Sequence, residues 1–98
     1  MLPESKESIS SLEDLKSFVY RTLCRDNHLL EGGHPTREIF LRRGSSSNIC
    51  GILFHLHGPR AVLFSAVWEC EGNRVLFYSS TGHRYRETEL GDVEIVIE

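Results

Sequence analysis

His55 and His57 stand two residues apart in Ile49–His57, a run with the composition of a strand. Side chains at i and i+2 of a strand share a face, so both imidazoles could reach one metal ion. Such a site needs a third ligand, and His34, His83 or Glu69 would supply it only through the fold. No ligand pair at familiar spacing announces one, and two polar residues flanking a turn are the simpler reading. Cys24, Cys50 and Cys70 are odd in number and unrelated in spacing, which implies no disulfide framework. Cys50 and Cys70 fall inside apolar runs, where burial leaves a thiol inert. Cys24 sits near a helix end, away from the N-terminus that activates a thiolate. No catalytic residue, metal site or cofactor is assigned on these grounds.

The most site-like loop is Ser79–Arg84. Ser80, Thr81 and Gly82 are small enough to turn successive backbone N–H groups toward an anion, with Arg84 and Arg86 adding guanidinium groups. P-loop spacing is absent, and a turn whose hydroxyls serve the local backbone explains the same residues. Seven arginines between residues 37 and 86, with Tyr78 and Tyr85 as stacking groups, make a second anion reading: a surface for single-stranded nucleic acid. The formal net charge of −3 opposes long-range attraction to phosphate. Pairing of these arginines with nearby Glu and with the acidic C-terminal stretch is the more ordinary arrangement. Glu87 and Glu89 share a strand face but have no apolar surround that would suit them to acid catalysis.

The elements that carry these residues read as one α+β domain over residues 1–98, with residues 1–8 expected to be flexible. Ninety-eight residues with 40% hydrophobic and 26% charged content can bury a modest core. The start has no apolar core of a signal peptide, and no run approaches the ~20 apolar residues of a membrane span, so a cytoplasmic protein without membrane contact is expected. Ser10 and Glu13 have capping-box spacing and open a helix. Leu12, Leu15, Val19, Thr22 and Leu23, with Phe18 beside them, form its apolar stripe. The helix stops near Asp26-Asn27, before the loop Gly32-Gly33-His34-Pro35.

An antiparallel meander of four to six strands is expected to follow: an edge strand Arg37–Arg43, then Ile49–His57, Arg60–Cys70, Arg74–Ser80, His83–Leu90, and Val93–Ile97 as a last strand or tail. Helix-then-meander order is similar in shape to cystatin-like folds, and shape confers no function. Glu71-Gly72-Asn73-Arg74 suggests a two-residue hairpin with Gly72 at positive φ, Glu71 beside Arg74, Trp68 opposite Phe77 and Cys70 opposite Val75. Val62, Phe64, Ala66, Trp68, Cys70, Val75 and Phe77 then face the helix. A three-residue loop after His57 adds Ile52, Phe54 and Leu56 to that face; a two-residue loop swaps them with His55 and His57.

In either register, Ile49–Leu56 and Ala61–Trp68 are apolar at odd and even positions alike, as strands covered on both faces are. One helix covers one face. The leading expectation is therefore a non-catalytic interaction module that self-associates or docks a protein partner through the other face, at Leu63, Val67, Leu76 and Tyr78 with His55 and His57 at the rim. The alternatives are nucleic-acid or anion binding through the arginine strands and the Ser79–Arg84 loop, and a small metal-dependent enzyme using His55 and His57.

Overall fold

The structure is a computed structural model that describes residues 9–44, 48–91 and 95. The segment expected to be flexible, residues 1–8, lies outside the described residues, as do residues 45–47 of the loop after Gly44 and all of Val93–Ile97 except Ile95. Helix α1 spans Leu12–Asp26. Its N-cap is Ser11 rather than Ser10: the Ser11 hydroxyl accepts from Asp14 N at 3.2 Å, and Asp14 Oδ2 accepts from Ser10 N at 3.4 Å. Asp14 takes the place expected for Glu13, and its carboxylate reaches back to Ser10 N, one residue before the N-cap, where a capping box would use the N-cap N–H itself. Glu13 and Asp14 in the first turn and Arg25 in the last complement the helix dipole.

Five strands follow: β1 Thr36–Arg42, β2 Ile49–His57, β3 Leu63–Glu69, β4 Arg74–Tyr78 and β5 Arg84–Glu89. They pair antiparallel in chain order, β1-β2-β3-β4-β5, with β1 and β5 as the outer strands among the described residues. The fold is α+β, an N-terminal helix on an antiparallel meander, as the sequence indicates.

The β2–β3 register places Ile52 opposite Trp68, Phe54 opposite Ala66 and Leu56 opposite Phe64. These are the residues expected to face the helix under an odd-length loop, and all are buried. The connection is residues 58–62, longer than expected: Gly58 N donates to Val62 O at 2.8 Å, and Arg60 and Ala61 both adopt positive φ. Strand β3 accordingly starts at Leu63 instead of Arg60. Leu15, Phe18, Val19, Leu23 and Cys24 of α1 pack onto this sheet face, joined by Ile9 and Ile95. Phe18 meets Phe77 edge-on at 6.1 Å. Burying each such side chain contributes about 1.5–3 kcal/mol.

The β3–β4 hairpin differs from expectation by two residues. Trp68 lies opposite Val75, and Ala66 opposite Phe77. The turn is residues 70–73, and the positive φ, 47°, belongs to Asn73 instead of Gly72. The physical reason is the Asn73 side chain, whose Oδ1 accepts from Trp68 Nε1 at 2.9 Å while its Nδ2 donates to Gly91 O at 3.0 Å. Asparagine tolerates the left-handed conformation this requires. A slip of two preserves side-chain parity, so the face assignment stands even though the pairs do not.

Helix and sheet are tied at the far end by Asp26. Its carboxylate accepts from Arg86 Nε at 2.8 Å, Arg86 Nη2 at 3.2 Å and the Tyr85 hydroxyl at 2.9 Å. A bulge between Phe77 and Tyr78 offsets β5 so that Arg84, not Tyr85, pairs with Tyr78.

Candidate functional site

The sheet face turned away from α1 follows from the register. One row across the strands holds Ile39, Leu53, Val67 and Leu76 and ends at Glu87. On one side of it lie Arg37, His55, Ser65, Tyr78 and Arg84; on the other lie Leu41, Gly51, Glu69, Arg74 and Glu89. His57 and Leu63 pair beyond the first side row. Leu76 is 4% exposed, whereas Leu63 is 37% exposed. Ile39, Leu53 and Val67 are half-buried. Among the described residues, no element packs on this face, because α1 sits on the other and the sheet does not curl closed.

All six residues expected on this face, Leu63, Val67, Leu76, Tyr78, His55 and His57, lie there. Ile39 and Leu53 complete the apolar row and escaped the sequence reading. The signal for Leu53 was its odd position in β2; Ile39 needed the β1–β2 register. Gly51 is held to glycine by a close approach, since a Cβ there would lie 2.7 Å from Trp68 O.

Charge is unequally divided along the strands. Arg74 Nε donates to Glu69 Oε1 at 2.8 Å and Arg74 Nη1 to Glu87 Oε2 at 3.0 Å, replacing the Glu71–Arg74 pair expected from the shorter turn. With Glu89 in the same row, this end carries three carboxylates against one guanidinium. The opposite end carries Arg37 and Arg84 beside His55 and His57, with no carboxylate among these positions.

The residues of the anion reading separate. Arg84 sits beside Tyr78 on the open face, whereas Arg86 turns to the helix face and Asp26. Burial and the Asp26 hydrogen bond push the Tyr85 phenol up to about 12. In the turn, Gly82 N donates to Ser79 O at 3.0 Å, and Thr81 N and His83 N both donate to the Ser79 hydroxyl at 3.3 Å. Ser80, Thr81 and Gly82 thus form a turn closed on its own serine. Among the described residues, no three of His, Cys, Asp and Glu stand close enough together to hold a metal ion.

Grooves among the described residues lie elsewhere. A groove of about 400 Å³ runs between α1 and the loop before β1, lined by Glu13, Lys16, Tyr20, Cys24 and His34 among others. Beside it, the Tyr20 hydroxyl donates to Glu38, and Lys16 approaches Glu38 at 3.7 Å. Burial, reinforced by Glu38, pushes the Tyr20 phenol far above its ordinary value. Burial raises the Cys24 thiol as well, with Glu31 adding to the shift. A second groove of about 400 Å³ is lined by Arg43, Asn48, Cys50, Cys70 and Glu71. Cys70 is exposed and Cys50 half-buried, which corrects the expectation that both are sealed in apolar strands: the longer β3–β4 turn takes Cys70 out of the sheet. Among the described residues, no helix is long and apolar enough to cross a membrane. Comparison of the chain with protein-family models, with curated proteins and with solved structures returned no match.

Proposed function

We propose that this chain is a non-catalytic interaction module whose open sheet face receives a second copy of itself. The observation that carries the reading is the apolar row Ile39–Leu53–Val67–Leu76 flanked by opposite charge at its two ends. Two sheets stacked about a two-fold axis that runs along this row place like row on like row. The same operation lays the Arg37/Arg84 end of one copy over the Glu69/Glu89 end of the other. Such an isologous contact is self-complementary in both shape class and charge.

Five strands about 4.8 Å apart and some six residues long give a flat footprint near ~400 Å² per copy. That lies in the range of weak, reversible interfaces, so a dissociation constant in the micromolar range or above is expected. Sedimentation velocity across a concentration series up to ~0.5 mM, with thiols kept reduced, tests this. The expected result is a monomer–dimer equilibrium that Val67→Asp and Leu63→Asp abolish and that Arg84→Glu weakens. A strict monomer throughout, with Leu63→Asp behaving as the parent chain, overturns self-association.

A second reading rests on Tyr78 standing beside Arg84 on the same open face, an aromatic and a guanidinium arranged as single-stranded nucleic acid uses them. It requires salt-sensitive binding to single-stranded RNA or DNA, lost in Arg84→Ala; loss in Arg86→Ala as well would extend the contact to the far side of β5, where Arg86 holds Asp26. Loss only in Arg84→Ala places the contact on the open face alone. No shift at low salt eliminates it. Elemental analysis after mild purification tests the metal-enzyme alternative, which needs stoichiometric metal bound through His55 and His57.

A further inference from the structure

Cys50 and Cys70 are directly opposed. The β2–β3 register pairs Gly51 with Glu69, and one step further it sets Cys50 against Cys70, whose backbone N donates to Cys50 O at 3.1 Å. One backbone bond joins the pair, while the Cys70 carbonyl accepts from Asn73 N at 3.2 Å; residues opposed across antiparallel strands have Cα atoms about 4.5–5.5 Å apart, inside the ~4.4–6.8 Å span that a disulfide bridges. Both residues line one groove, with Arg43, Asn48 and Glu71. On the other flank, β1 skips this position: Leu41 pairs with Gly51 and Arg42 with Ile49, leaving Cys50 as the bulged residue. A bulge at a sheet edge loosens the local ladder, which gives the small adjustment that bringing two sulfur atoms together requires.

We infer that Cys50 and Cys70 are a redox-active dithiol that closes to a reversible cross-strand disulfide. With a hydroperoxide as oxidant, the exposed Cys70 sulfur attacks the peroxide oxygen and becomes a sulfenic acid, and the O–O bond breaks to release an alcohol or water. The Cys50 sulfur then attacks the sulfenic sulfur, and water leaves as the S–S bond forms. Two thiols lose two electrons and two protons, and the peroxide is reduced. In a thiol-rich compartment the pair rests reduced, so the bond is a response and not a permanent staple. Cys24, 4% exposed in the core, is the built-in control.

The test uses the whole chain, purified reduced and treated with hydrogen peroxide under native conditions, then denatured for thiol titration and peptide mapping. Titratable thiols are expected to fall from three to one. A peptide containing Cys50 should be joined to one containing Cys70 with loss of two hydrogen atoms, and dithiothreitol should restore both. Cys24→Ser should leave that linkage unchanged, and Cys50→Ser should leave Cys70 oxidised without an intramolecular partner. The same oxidation in strong urea should yield mixed pairings, which keeps the comparison decisive even where a variant fails to fold. Retention of three free thiols overturns the inference. So does a native product in which Cys70 is joined to a second chain, or is over-oxidised, in preference to Cys50.

Discussion

Replacing Asn73 with alanine tests the turn that sets the β3–β4 register. Asn73 Oδ1 accepts the indole N–H of Trp68, a residue 3% exposed, at 2.9 Å. Removing that acceptor leaves a buried donor unpaired, at about 1–3 kcal/mol. Alanine at φ 47° adds the steric cost of a Cβ in the left-handed region, of order 1 kcal/mol beyond what asparagine bears. The bond from Asn73 Nδ2 to Gly91 O at 3.0 Å is exposed and contributes about 0.5 kcal/mol. Together these give a loss of about 2.5–4.5 kcal/mol, a drop in Tm of some 12–22 °C for a domain this small. Urea unfolding followed by far-ultraviolet circular dichroism measures it. The fluorescence of Trp68, the single tryptophan, reports the same site from within. Asn73→Asp keeps an acceptor and the tolerance of positive φ, and should cost about 1 kcal/mol or less. Asn73→Gly relieves the strain but loses the indole bond, and should fall between them. If Asn73→Ala is within about 0.5 kcal/mol of the parent chain, the indole bond does not hold the turn and the reasoning fails.

Two further outcomes follow from the core and the helix tie. Trp68→Ala should cost about 3–5 kcal/mol by chemical denaturation, since the indole is enclosed by the helix face of the sheet; a loss below about 1 kcal/mol would contradict its place in the core. The Tyr85 phenol, raised from 10 to about 12 by burial and by Asp26, favours its neutral form in the fold. That stabilisation is complete below pH 10 and disappears as pH rises from about 10 to 12. With Tyr85 41% exposed, solvent screening leaves about 1 kcal/mol of it. Urea unfolding between pH 9 and 12 should therefore show a decline that Tyr85→Phe flattens, and identical pH profiles would refute the Asp26 contact.

Within each of β2, β3 and β4 the side chains sort to two faces by parity, a local property that the chain carries in its residue order. Leu63, Val67, Leu76 and Tyr78 were legible as one surface once an even-length turn was read between β3 and β4, whereas the face of His55 and His57 hung on the loop after His57. A hairpin two residues longer than expected left that surface intact. The helix was equally legible, since its caps and its apolar stripe act over three or four residues. What the order of residues did not determine is which positions meet across the sheet. Asn73 forms the turn because it can reach the Trp68 indole, Asp26 meets Arg86 60 positions later, and Cys50 meets Cys70 only through the β2–β3 register. The separation of charge along the open face arose in the same way, from strands that bring Arg37 beside His55 and Glu69 beside Arg74. Alternation is set by backbone geometry within a strand, whereas register is decided by the competition among turns, side-chain hydrogen bonds and packing that exists only once the strands are side by side.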